Sequence, residues 1–165
     1  MDIKIFSNSF LEDLRRESGL SLRKRKNHNL HFDYVDSCQR LFNAIEMDSY
    51  IRPHRHSLDP KHECLLALSG LFCLYIFDDT GKILRVTKFG SDLYRITDKN
   101  CAAGVEIPPN CWHTVVALSQ SAILFEVKAG PFIPSYAKEF ASWAPEEGAS
   151  NSLDYLKSLR RFSQD

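Results

Sequence analysis

The sequence predicts a mainly β fold, an antiparallel sandwich or barrel flanked by short helices at its two ends. Three observations carry this. From residue 41 to residue 130 the chain is built of short apolar or alternating segments separated by turn residues, the pattern of strands buried on at least one face. No long stretch of helical periodicity interrupts that region, which argues against alternating strand–helix units and a parallel sheet. Helix signals are confined to residues 7–20 and 152–162. At 165 residues the chain suits a single domain. It divides into an N-terminal helix and basic segment over 1–40, a β-barrel over 41–132, and a C-terminal extension with a short helix over 133–165.

Taken in order, Ser9 and Glu12 have capping-box spacing, Phe10, Leu11 and Leu14 form an apolar stripe, and Gly19 offers a stop, so a helix is expected over 7–20. Residues Arg23 to His31 concentrate positive charge. Their plain reading is a solvated loop, and the alternative is contact with an anionic group such as a phosphate or sugar acid. The run is short and lacks interleaved aromatics, so nucleic acid is not favoured. Strands are expected at Leu41–Met47, Tyr50–His56, Cys64–Ser69, Phe72–Phe77, Ile83–Phe89, Gly104–Ile107, Thr114–Leu118 and Ile123–Val127. Asp78-Asp79-Thr80-Gly81 reads as a hairpin turn, with Gly81 free to take positive φ. After Gly130-Pro131 the chain turns polar and irregular, punctuated by Pro134, Trp143, Pro145 and Gly148. Leu153, Leu156 and Leu159 then predict a helix from Ser152 to Phe162, packed on the barrel or on a neighbouring subunit.

Bulk properties exclude several classes. With 21 basic and 21 acidic residues, no global field favours a nucleic-acid or membrane partner. The stretch Met1 to Phe6 lacks the apolar core of a signal peptide, and no later run is long enough to span a bilayer, so a cytoplasmic location is expected. Five cysteines with no C-x-x-C pair predict reduced, mostly buried thiols rather than a disulfide framework. Exposed strand edges and terminal segments make a homodimer the expected assembly.

The chemistry concentrates at Pro53-His54-Arg55-His56. Residues two apart on a strand share a face, so His54 and His56 present both imidazoles to one side. If the segment opening at Glu63 is the antiparallel neighbour, its carboxylate faces the same pocket. His113, set after a Pro-Pro-Asn turn, is the fourth candidate ligand. Such a mixed nitrogen and oxygen set suits one divalent transition metal, Zn²⁺, Fe²⁺, Mn²⁺, Co²⁺ or Ni²⁺, without selecting among them. Arg52, in phase with the histidines, Lys128 and Lys61 are candidates to hold an anionic substrate, and Glu126 is the candidate to move a proton. Cys111 reads as apolar filling, Tyr50 and Trp112 as core or pocket wall, and His28, His31 and His62 as loop or surface residues.

The order His54-x-His56, Glu63, six residues and Gly70 resembles the first motif of the cupin superfamily, and Pro108-Pro109-Asn110-Cys111-Trp112-His113 resembles the second, with Asn110 in place of glycine. Asparagine is the next best residue for a left-handed turn. More of the chain resembles the WbuC family of cupin-fold metalloproteins, found among bacterial surface-polysaccharide (O-antigen) biosynthesis proteins. The residues that carry this are Arg25, Asn27 and His28, then 39–44, 52–56, 112–114, 126–132 and 143–146. The resemblance implies a cupin double-stranded β-helix, an antiparallel barrel, holding a divalent metal. It implies no known reaction; the genetic neighbourhood together with the local positive charge at Arg23 to His31 favours a metal-dependent isomerase or epimerase acting on an anionic sugar or sugar nucleotide. A non-haem iron dioxygenase and a non-enzymatic cupin that binds a small molecule are the alternatives.

Overall fold

Ser7 starts the first helix: its Oγ accepts the Phe10 N–H, and α1 runs Asn8–Leu20. Ser9, the expected cap, lies inside the helix, and Gly19 does not stop it, because the backbone stays helical one residue further to a cap at Ser21. The computed structural model describes residues 3–163, so the first two residues of the amino-terminal stretch, and the last two of the chain, lie outside the described residues. The strands follow as β1 (Arg25–Asn29), β2 (Cys38–Glu46), β3 (His54–Arg55), β4 (Glu63–Ser69), β5 (Leu71–Phe77) and β6 (Ile83–Gly90). A short helix α2 (Asp92–Thr97) precedes β7 (Gly104–Ile107), β8 (Trp112–Ala117), β9 (Ser121–Ala129) and β10 (Glu139–Phe140), and α3 spans Ser152–Phe162.

The strands form two five-stranded antiparallel sheets, β1-β2-β9-β4-β7 and β10-β3-β8-β5-β6. The expected barrel is therefore corrected to a pair of open sheets. Closure requires strand ladders between sheet edges, whereas β10 has two residues and β7 four. Between the β6 edge and the approach to β7 there is, among the described residues, one isolated bridge, Phe89 to Ala102. The sheets pack face to face over a core drawn from both, with Ile45, Leu65, Ile107 and Leu124 on one side and Phe72, Leu74, Phe89 and Val115 on the other. Their outer faces are also covered. Leu14 of α1 packs on Phe42, Ala44 and Ile123, and Leu156 and Leu159 of α3 pack on Cys73, Tyr75 and Val116. Burial on both faces explains why β5 is apolar throughout rather than alternating, and β8 is buried at every residue, with His113 and Thr114 its polar positions.

The Asp78–Gly81 turn forms as expected: Gly81 has φ +88, and Asp78 Oδ1 accepts the Thr80 and Lys82 N–H groups. Two expectations change. The basic run forms β1 rather than a loop, paired residue for residue with β2 from Arg25–Ile45 to Asn29–Leu41. The predicted Tyr50–His56 strand shrinks to β3. Among the described residues no helix is long and apolar enough to cross a membrane. The cysteines are free, with Cys73 and Cys101 buried and the other three partly so.

Candidate metal centre

His54 lies directly opposite His113 across the β3–β8 pair, and their rings sit 4.5 Å apart between centroids. His56 follows β3, and its ring lies 5.3 Å from that of His54. Glu63 opens β4, which belongs to the other sheet, so the expectation that its strand neighbours the histidine strand is corrected. The carboxylate arrives from across the gap between sheets. Residues 57–62 are the crossing, which is why six residues separate His56 from Glu63. One ligand-capable atom from each of His54, His56, Glu63 and His113 lies within 4.8 Å of all the others, and all four residues are buried.

Hydrogen bonds fix how these groups face. His54 Nδ1 donates to the Arg52 carbonyl at 2.9 Å, His113 Nδ1 to the Cys111 carbonyl at 2.8 Å, and His56 Nδ1 to the Ala137 carbonyl. A carbonyl only accepts, so each proton resides on Nδ1 and each Nε2 keeps its lone pair. His56 Nε2 is buried and, although 3.0 Å from Glu63 Oε2, has no hydrogen-bond partner among the described residues. His113 Nε2 is 3.4 Å from the same oxygen. The other oxygen, Oε1, accepts from Lys128 at 2.9 Å. Converging unprotonated nitrogens, each oriented through its second ring nitrogen, with one free carboxylate oxygen, fit a divalent metal.

Electrostatics agree with that use. Burial pushes His54 well below its ordinary value of 6.5, helped by Lys138 and His113 and opposed by Glu63, so the ring is neutral. Burial raises the Glu63 carboxyl, and His113 and His56, when their Nε2 atoms carry a proton and donate to it, lower it well below 4.5 together with Lys128; with those nitrogens free for a metal, Lys128 is the cation that stays on the carboxylate. Burial also works against the Lys128 ammonium, yet Glu126 and Glu63, both paired with it at 2.9 Å, raise it above 10.5.

In front of the cluster lies a cavity of ≈ 540 Å³. Its wall is the inner face of the first sheet, where Asn27, Asn43 and Leu124 stand in one cross-strand row and Gln39, Lys128 and Glu63 in another. Glu126 lines it too, its carboxylate held by Lys128 and by Asn43 at 2.9 Å. Among the sequence candidates, the structure brings Lys128 and Glu126 together there and leaves two others aside. The Arg52 guanidinium turns to the Ala141 carbonyl at 2.8 Å and towards Glu146, and Lys61 is tied to Asp59 at 2.6 Å and to the Pro131 carbonyl. Tyr50 and Trp112 belong to the core under α3, Cys111 packs on the central core, and Cys111 is not part of the cluster.

Sequence reasoning singled out none of Arg25, Asn27, Asn29, His31 and Lys138, all on the cavity wall; the first four lie in the basic run for which anion contact is the alternative reading, and Lys138 is missed altogether. For Arg25, Asn27 and Asn29 a signal existed, their spacing of two, but polar residues on both strand faces hid it. His31, expected as a loop or surface residue, lies in the loop after β1 but is buried there: its Nδ1 accepts the Arg40 N–H at 3.1 Å.

No curated protein matches the chain by sequence. Among solved structures it is similar to protein SO0799 from Shewanella oneidensis, with 12% identity and TM-score 0.54 over 69% of this chain and 72% of that one. It is also similar to CapF solved with the inhibitor 3-isopropenyl-tropolone (18%, TM-score 0.53) and to a mutant of Bacillus subtilis oxalate decarboxylase OxdC (12%, TM-score 0.50). The matched part spans 69% and 70% of this chain but only 31% of CapF and 27% of OxdC. These likenesses support a cupin-like fold. The narrower resemblance to the WbuC family is corrected, because neither the structural relatives nor the matching family supports it. Two of the pieces that suggested it, 52–56 and 112–114, contain the clustered histidines themselves. Over residues 6–89 the sequence matches a different family, and the chain belongs to that one, described as Domain of unknown function (DUF6016).

Proposed function

We propose that the chain is a metal-dependent enzyme that moves a proton on a small anionic, sugar-derived molecule, with His54, His56, Glu63 and His113 as the metal ligands. The observation that carries this reading is the shared tautomer of the three histidines: every Nδ1–H is tied to a carbonyl, which leaves every Nε2 lone pair for the centre. A divalent metal held there supplies Lewis acidity to a bound oxygen. The chain's own residues do the rest. Glu126, fixed at both carboxylate oxygens on the cavity wall, exchanges the proton. Lys128 links that carboxylate to Glu63, so the proton-transfer group and the metal ligand share one cation. The carboxamides of Asn27 and Asn29 face the same space and suit hydroxyl groups. The cavity volume is in the range that takes a small metabolite.

Two measurements test it. Elemental analysis of the purified protein should find about one transition metal per chain, lost in the His54→Ala/His113→Ala double variant. A folded protein without metal, or metal retained in that variant, would overturn the site. For the reaction, sugar acids and sugar phosphates are incubated with the protein in heavy water, and deuterium uptake at carbon is followed by NMR. Uptake should depend on Glu126, vanishing in Glu126→Gln while metal content stays unchanged.

A further inference from the structure

The cations on the cavity wall are nearly all engaged by the protein's own carboxylates. Arg25 forms a two-pronged pair with Glu147 at 2.6 and 2.7 Å, Arg23 meets the same carboxylate at 3.1 Å, Lys26 pairs with Glu17 at 3.0 Å, and Lys128 bridges Glu63 and Glu126. Lys138 is different. Its amine feels the charges of Glu63, Glu126, Lys128 and Arg25, but no hydrogen bond or ion pair engages it among the described residues. Lys138 is an exposed residue that lines the cavity, and enough protein surrounds the amine for desolvation to lower it below 10.5.

The backbone determines where this side chain goes. On its amino-terminal side, the Ala137 carbonyl accepts from His56 Nδ1. On the other, Glu139 pairs with Arg55 at 2.7 and 3.0 Å and with Ser57, and Phe140 lies opposite His54 in the β10–β3 register. Alternation along an extended segment then sends Glu139 to one side and Lys138 and Phe140 to the other, and both of the latter line the cavity. Lys138 is thus held by flanking contacts to two of the candidate metal ligands, and its charge is left unused by the fold. An ammonium in a partly desolvated cavity, near carboxylates but in direct contact with none of them among the described residues, keeps its donors available for an anionic group.

We propose that Lys138 is the anchor for a second anionic group, a carboxylate or phosphate, on the molecule whose first oxygen ligand sits at the metal centre. The assignment rests on the metal reading for that first end. It sets the substrate class as one bearing two acidic groups, or one acidic group and a metal-binding oxygen, rather than a neutral sugar.

The test uses the full chain and pairs of probes that differ by one charge: succinate against butyrate and glutarate against valerate, titrated by calorimetry after the metal content of each protein has been measured. In the wild type each dicarboxylate should bind roughly tenfold or more tighter than its monocarboxylate partner, the worth of one charge-assisted hydrogen bond. In Lys138→Gln that ratio should fall to near unity at unchanged metal content, and Lys138→Arg should retain most of it. Equal affinities within each pair in the wild type, or a ratio that survives in Lys138→Gln, overturns the proposal. A protein that takes up no metal overturns the metal reading instead, and the same ratio, measured on the metal-free chain with inorganic phosphate added as a third probe, still decides the role of Lys138.

Discussion

Gly70 has φ +78, and a Cβ placed on it would meet Ser119 Oγ at 2.5 Å and the Ala122 Cβ at 2.6 Å. Both the left-handed backbone and the crowding oppose a side chain there. Gly70→Ala is therefore expected to cost about 2 kcal/mol or more, read as a lower urea midpoint at unchanged slope. A midpoint equal to that of the wild type would refute the crowding argument. Asn110, at φ 63, uses the tolerance of asparagine for the same conformation and lets the chain turn before Trp112 and His113. At this scale the candidate centre was largely legible. His54 and His56 stand two apart beside an apolar run, Glu63 opens the next one, and His113 follows a tight turn, a pattern that core packing or a solvated surface seldom produces. Lys138 does not stand out, because an isolated lysine in a polar tail looks like any solvated charge until the flanking contacts of Ala137 and Glu139 are known.

At the scale of elements, β1 shows how a strand escapes detection. One face meets a polar cavity, and the other, largely exposed, touches α1 through Lys26 on Glu17 and His28 on Phe10, so no apolar alternation marks it. It is held instead by its ladder to β2 and by the Arg25–Glu147 pair, which ties it to the segment before α3. Burial pushes the Glu147 carboxyl upward, but the hydrogen bonds and charge of Arg25, with Arg23 assisting, outweigh it and hold the group below 4.5. The unfolded chain therefore takes up the proton first as pH falls. The stability from this pair is fully present above about pH 4.5 and is lost as pH falls through the depressed native value. Glu147→Gln should lower stability by about 1–3 kcal/mol at pH 7, and the deficit should shrink near pH 3. Urea unfolding of both proteins at the two pH values checks this, and a deficit independent of pH would refute it.

At the scale of the molecule, the two sheets are joined by a shared core and loops rather than by a closed ladder, and the candidate centre draws its ligands from both: His54 and His113 from one sheet, Glu63 from the other. A metal there acts as a cross-link present only in the native state. At a free metal concentration a hundredfold above Kd, it should add about 2.7 kcal/mol. That corresponds to roughly 5–10 °C in Tm for a chain of this size. Scanning calorimetry with chelator and then with added Ni²⁺ or Zn²⁺ measures the shift, and an unchanged Tm would argue against a site spanning the sheets. The sequence by itself determined the β-rich class, the turn chemistry at Gly81 and Asn110, the C-terminal helix and the candidate ligands, because each is written in local spacing and residue type. Only the tertiary structure decided that the sheets stay open, that Glu63 reaches the histidines from the opposite sheet, that the basic run is a strand, and that Lys138 faces the cavity. Those are outcomes of which edge pairs with which and which face is covered, and they depend on residues far apart in the chain.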